Sequence, residues 1–296
     1  MIHGPRPSTF SIVAHDPRAQ EWGVAVQSKF LCVGAMVPWA RAGAGAVATQ
    51  AYCNTSFGPE GLALMEQGTS AREALDHLVA GDEGRARRQF GLVDARGQAA
   101  TFTGEECNAW AGGLTGDFYA VQGNILVSGA TVEAMARTFE TAQGELADRL
   151  VAALAAGQAA GGDRRGQQSA AVLVVRERGG YGGYNDRYLD LRGDDDAAPI
   201  ERLQALVDLH HLYFKPPAPG EMVAIAGELA REVQRILQWA GYYEGPITGT
   251  YDAATRQALT ELIGTENFEE RFDEAGGQIS SQVMDILRQK FVPKTP

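Results

Sequence analysis

The sequence predicts an α+β protein in which antiparallel sheets are covered by helices and a small helical domain follows. Three observations predict it. Candidate strands come in hairpin-linked runs separated by helices, which argues against a parallel doubly wound sheet. Two strands, 44–49 and 170–175, are almost wholly small or apolar. Both faces of each are therefore buried, as in a helix–sheet–sheet–helix sandwich. The segment Lys215-Pro-Pro-Ala-Pro-Gly-Glu221 continues neither a helix nor a central strand, and so divides the chain.

The elements follow in order. Residues 9–14 and 22–27 form strands around the turn Asp16-Pro17-Arg18, which reads as a hairpin. A third strand covers 44–49, and helices cover 58–66 and 70–80. Ser70 with Glu73 three residues on has capping-box spacing. Strands return at 90–94 and 99–103 around Ala95-Arg96-Gly97, and again at 119–126. An Ala-rich helix spans 131–156 and breaks near Gly144. Strands at 170–175 and 187–192 close the sheet, and a helix over 199–213 carries Ile200, Leu203, Leu206, Val207 and Leu209. Beyond the proline-rich segment the pattern reads as wholly helical. Leu229, Val233, Ile236 and Leu237 share one helical face, and further helices hold Ala258, Leu259, Leu262 and then Val283, Ile286, Leu287.

Composition bounds the function. The chain has 296 residues, enough for two domains at about 150 residues each. Apolar residues at 45% and charged residues at 21% exclude a disordered or fibrous chain. The 36 glycines have no collagen period and point to tight turns. No apolar run approaches the roughly 18 residues of a membrane span. A formal net charge of −11 makes nucleic acid and anionic membrane poor partners. Three cysteines (Cys32, Cys53, Cys107) are too few for a disulfide framework and lack zinc spacing. Cys53 reads as a small buried residue rather than a nucleophile. The adjacent His210 and His211 point to different helix faces, so no metal and no cofactor is expected. The first residues, MIHGPRPS, lack an apolar signal core. With the cysteine usage, this predicts a cytoplasmic protein.

The segments TFSIVAHDP, EWGVAVQSKF and VPWARAGAGAVATQAYCNTSFGPEGL resemble a bacterial family known as domain of unknown function 1028. So do FGLVDARGQAATFTG, YAVQGNILVSG, AAGQAAGGDRRGQQSAAVLVV and YGGYNDRYLDLR. The resemblance runs over residues 9–214. It implies the N-terminal nucleophile hydrolase superfamily, with a four-layer αββα sandwich and amide hydrolysis by a Thr, Ser or Cys opening the first strand. Thr9 stands at that place. The resemblance divides the chain into a leader (1–8), a hydrolase-like domain (9–214), a linker (215–221) and a helical domain (222–296).

A Thr hydroxyl needs a base. As a first residue, its own α-amine serves, with a pKa of about 7.7–8.0. While Ser8 acylates Thr9 no such amine exists, so the chemistry requires removal of 1–8. Lys29 is the only Lys before residue 215, and is expected beside the nucleophile, where a cation favours negative charge. Asn124 and Asn54 are the candidate amides for a developing oxyanion. Asp163 and Ser169, in the loop GGDRRGQQSA, match a loop Asp and Ser found near the amine in proteasome-like members. Arg164 or Arg165 suits a substrate carboxylate.

The pattern VQRILQWAGYYEGPITGTYDAATRQAL resembles a peptidoglycan-binding fold over residues 228–263. Tyr242 and Tyr243 are its candidates for stacking on a cell-wall fragment. The plain alternative is a domain that packs on its neighbour or forms a homo-oligomer. Two functions remain open: an amidohydrolase acting on a small amide or peptide, and a non-catalytic binding or assembly protein that keeps the hydrolase fold.

Overall fold

The computed structural model describes residues 9–293; the expected leader, 1–8, lies outside them. It divides into two units, Met1–Val207 and Asp208–Pro296. The division falls within a helix, a few residues before the proline-rich segment.

The first unit begins with β1 (Thr9–Asp16) and β2 (Glu21–Ser28), then β3 (Pro38–Arg41) and β4 (Gly45–Ala51). Helices α1 (Phe57–Glu66) and α2 (Ala71–Gly81) follow, then β5 (Arg88–Asp94), β6 (Ala99–Thr103), β7 (Gly112–Gly116) and β8 (Tyr119–Asn124). Next come α3 (Ala130–Thr141), α4 (Leu146–Ala159), β9 (Ser169–Val175), β10 (Arg187–Gly193) and α5 (Pro199–Phe214). A six-stranded sheet has the order β10-β9-β2-β1-β8-β7, and a four-stranded sheet the order β3-β4-β5-β6. Every pairing is antiparallel.

Three apolar clusters hold the first unit. In one, Phe10, Ile12 and Val172 of the six-stranded sheet pack with Met135 and Phe139 of α3 and Leu150 and Leu154 of α4. In another, Phe90, Leu92 and Val47 of the four-stranded sheet pack with Leu62 and Met65 of α1 and Leu75 and Leu78 of α2. The third joins the sheets through Val13, Val24, Val26, Leu173, Ala46, Ala48 and Val93. The apolar strand 170–175 is buried on both faces for this reason: Val172 belongs to the first cluster and Leu173 to the third.

Local signals act as their chemistry requires. Ser70 and Glu73 close a reciprocal capping box on α2. The long Ala-rich segment breaks between α3 and α4, where Gly144 takes a positive φ of 106°. Strands β3 and β7 escaped the sequence reading. The first opens on a proline and the second is mostly glycine, so neither has a strand's composition.

The second unit corrects a wholly helical reading. Helices α6 (Gly227–Ala240), α7 (Ala253–Glu266) and α8 (Ser281–Phe291) are present, but so are β11 (Met222–Ala224), β12 (Phe272–Asp273) and β13 (Gln278–Ser280). These form a sheet of order β11-β13-β12. Strands of two or three residues are too short to show alternation. Arg271 is buried here. It donates to the carbonyls of Leu212 (2.8 Å) and His211 (2.7 Å), near the end of α5, and to Glu221 Oε1 (2.7 Å). A cation there meets the negative end of the helix dipole and caps its last carbonyls. Among the described residues no helix is long and apolar enough to cross a membrane.

Two predictions follow from buried charge. Glu221→Gln leaves the guanidinium of Arg271 buried without a counter-charge, so protection from amide hydrogen exchange in residues 208–293 falls by about 3–5 kcal/mol. Protection in residues 9–207 stays put. Glu21 is the second case. Burial raises its carboxyl from 4.5 to about 6, against the pull of Arg176 (Nη1–Oε1 2.9 Å). A raised acid holds its proton more tightly when folded, so its stabilising protonation is present in acid and lost as pH rises. Relative to wild type, Glu21→Gln therefore gains up to about 2 kcal/mol as pH rises from 4.5 to about 6. The difference is flat outside that window. Urea unfolding at a series of pH values measures it.

Candidate active site

Hairpin register sets the first feature. Thr9 pairs with Ser28 on one side and Asn124 on the other, and Ser28 pairs with Ser169. Directly opposed residues share a face of a sheet, so Asn124, Thr9, Ser28 and Ser169 form one polar row across β8, β1, β2 and β9. The next row in is Gln122, Ser11, Val26 and Ala171, and the one after is Ala120, Val13, Val24 and Leu173. The face toward the second sheet thus grades from apolar to polar as it approaches Thr9.

Thr9 is fully buried, and its Oγ1 lies 3.1 Å from Ser28 Oγ. Ser28 lies one residue beyond the strand end that the sequence predicts at Gln27. The hairpin's own arithmetic pairs Ala14 with Gly23 and hence Thr9 with Ser28. Asn124 donates from Nδ2 to Gln89 Oε1 at 2.9 Å. It also lines a narrow crevice of about 10 Å³, room for a single water, with Ala51, Tyr52, Arg87, Glu106, Cys107 and Asn108. Arg87 lies over the Tyr52 ring at 5.1 Å and pairs loosely with Glu106 at 3.8 Å. It is an exposed cation at that crevice which the sequence reading did not single out.

Two strands, β4 of the four-stranded sheet and β8 of the six-stranded sheet, end in left-handed backbone. Ala51, just after Gln50, has φ 61°, and Ile125, just after Asn124, has φ 52°. A β-branched residue in the left-handed region costs on the order of 1–3 kcal/mol and persists only when its surroundings hold it. Ile125 N donates to Asn108 O (3.0 Å), and Arg164 N donates to Ile125 O (3.1 Å).

The other expected residues serve the surrounding loops. The Lys29 ammonium is turned to the carbonyl of Gln167 at 3.1 Å, on the exposed side. It is the backbone N–H of Lys29 that meets Asp163, at 2.9 Å from Oδ2. The buried Asp163 also accepts from Arg165 N (2.8 Å), Nε (3.3 Å) and Nη2 (3.1 Å). Ser169 Oγ donates to Phe30 O (2.5 Å) and accepts from Val33 N (3.0 Å), pinning the segment after β2. Arg164 is exposed and reaches Leu126 O at 3.3 Å. Asn54 Oδ1 accepts from Ser56 N (3.1 Å), an Asx turn that leads into α1. In the second unit Tyr243 is buried, with its hydroxyl on Pro246 O, while the half-buried Tyr242 reaches Thr265 Oγ1. The structure thus brings Thr9, Asn124 and Ser169 into one row with the unforeseen Ser28, Ser169 also serving the loop after β2. Lys29, Asp163, Ser169 and Arg165 form a loop cluster, and Asn54 stands at another turn. Burial pushes the Cys53 thiol up to about 11, and it donates to Thr49 O. Among the described residues no three His, Cys, Asp or Glu side chains gather as metal ligands.

A profile of the "Family of unknown function (DUF1028)" matches residues 9–203. The chain belongs to that family. A second profile, "Putative peptidoglycan binding domain", matches residues 213–287. Among solved structures the chain is similar to a Silicibacter pomeroyi protein assigned to the same family of unknown function. The identity is 33% and the TM-score 0.64, covering 70% of this chain and 91% of that one. No curated protein matches.

Asp163 yields a prediction. Each of its oxygens accepts at least two donors, so an Asn there turns its NH2 onto other N–H groups whichever way it flips. Asp163→Asn therefore destabilises the first unit nearly as much as Asp163→Ala, by about 3 kcal/mol or more. Thermal unfolding of the two variants compares them.

Proposed function

We propose that the chain is an amidohydrolase of the N-terminal nucleophile type, acting on a small amide or peptide through Thr9. The observation that carries this reading is the polar row at the end of the six-stranded sheet. It puts a Thr hydroxyl 3.1 Å from a second hydroxyl and beside the carboxamide of Asn124. On this reading the two sheets, with α1–α2 and α3–α4 against them, are the αββα sandwich of that superfamily. Removal of residues 1–8 frees the α-amine of Thr9, which takes the hydroxyl proton. Oγ1 attacks the amide carbonyl, the C–N bond breaks as the amine leaves with a proton, and water hydrolyses the acyl-enzyme. Asn124 Nδ2 donates to the oxyanion. Ser28 holds the nucleophile's rotamer, and Arg87 takes a substrate carboxylate.

The second unit, on the same reading, recognises a cell-wall fragment, supported by the match over 213–287. Of the two candidate tyrosines, Tyr242 is the more exposed. The competing reading, a binding protein without the chemistry, is favoured by the Lys29 ammonium facing Gln167 O rather than the nucleophile.

The intact mass of tag-free protein from its own host separates them. A mass short by the first eight residues supports the hydrolase. There Thr9→Ala abolishes amide hydrolysis while leaving the circular dichroism spectrum unchanged. A full-length mass together with no amide hydrolysis overturns it.

A further inference from the structure

Three glutamines, Gln50, Gln89 and Gln122, are fully buried at the polar end of the inter-sheet face. The proposed chemistry uses none of them. Burying a carboxamide is costly unless its hydrogen bonds are made, and here they are made in one direction only. Gln122 Nε2 donates to the carbonyl of Ser11 (3.2 Å), which can only accept, and to Ser11 Oγ (2.6 Å). Ser11 Oγ therefore donates onward, to Gln50 Oε1 (2.6 Å). This turns Gln50 Nε2 toward Thr9 O (3.3 Å) and Gln89 Oε1 (2.9 Å). Gln89 in turn presents Nε2 to Gly123 O (2.7 Å) and Thr103 Oγ1 (2.9 Å). Its Oε1 then receives Asn124 Nδ2.

We propose that Gln50 and Gln89 are positioning residues of the site: from the four-stranded sheet they set the carbonyl of Thr9 and the carboxamide of Asn124 in the six-stranded sheet. This rests on the reading of Thr9 as nucleophile. The chain of donors decides the flip of Asn124, because only its NH2 end satisfies the Gln89 oxygen. The group held there is thus an N–H donor, which a developing oxyanion requires. Gln50 Nε2 reaches the carbonyl of the very residue whose hydroxyl and amine would react (3.3 Å) and that of Gln122 on the adjoining strand (3.4 Å), tying β1 and β8 together at this end.

The test uses tag-free protein from its own host and a β-lactone probe. In the labelling step the lactone acyl C–O bond breaks and a Thr9 Oγ–acyl bond forms. The hydroxyl proton ends on the released alkoxide. Gln50→Met and Gln89→Met each lower the rate at saturating lactone by about a hundredfold, the cost of a misplacement near 1 Å. The half-saturating concentration stays within a factor of about two. Val93→Ala, a cavity in the same interface, leaves the rate at wild-type level, which separates positioning from lost stability. Labelling of both glutamine variants at the wild-type rate overturns the proposal. If Gln89→Met fails to fold, Gln89→Asn, one methylene shorter, takes its place with the same expectations. If the wild type itself is not labelled, the nucleophile reading fails, and the side-chain amide signals of Asn124 decide the positioning. A widely split, slowly exchanging pair that collapses to solvent-exposed values in Gln89→Met supports it. A pair unchanged by the substitution overturns it.

Discussion

A carboxamide between two sheets has no water to turn to, and this constraint governs the end of the molecule where Thr9 lies. Over most of the inter-sheet face valines and alanines meet, and their packing has no preferred partner. At the Thr9 end three glutamines replace them, and each of their oxygens and NH2 groups has a partner. Such a network is demanding: removing one member orphans several others, each at about 1–3 kcal/mol. It also excludes bulk. Gly91 is glycine because a Cβ there would collide with the Gln122 amide. The spacing of the sheets, the register of β1 with β8 and the glycine on β5 are therefore one arrangement.

Much of this architecture was legible in the sequence. Turn chemistry at Asp16-Pro17 and a run of β-formers marked the first hairpin. The lack of alternation in 170–175 marked a strand covered on both sides, and Ser70 with Glu73 marked a helix start. What was not legible depended on distance along the chain. Gln50 and Gln89 come from two strands of one sheet and reach a residue of the other, and no local periodicity announces such a meeting. β7 is mostly glycine, and the strands of the second unit are too short to have a period. Ser28 lies one residue beyond the predicted strand, although the register of the hairpin implies it.

The residues chosen for their chemistry divide for a physical reason. Asp163 and Ser169 are polar, loop-borne and close to the first two strands, as a catalytic pair would be. Yet the loops there expose backbone N–H groups at Lys29, Val33 and Arg165, and buried donors must find acceptors. The carboxylate and the hydroxyl answer that demand. Reading side chains for reactivity overlooks it, because the need lies in the main chain. Lys29 shows the same exchange of roles: its backbone is tied inward to Asp163 while its ammonium faces Gln167.

Asn124 is the one expected residue on which both systems converge. From the sheet side its amide is oriented by Gln89. From the loop side Ile125, the next residue, is in a left-handed conformation, its N–H donating to Asn108 O and its carbonyl accepting from Arg164 N, and Arg164 adjoins Asp163. A strained residue relaxes unless both of its backbone groups are claimed, and here both are. The loop cluster around Asp163 therefore bears on the polar row from both ends, through Ser169 beside Ser28 and through Arg164 at Ile125. The Ile125 bonds hold the chain just after Asn124, the residue paired with Thr9. On the proposed reading, such an arrangement makes the reacting groups rigid and leaves recognition to neighbours such as Arg87 and Tyr52.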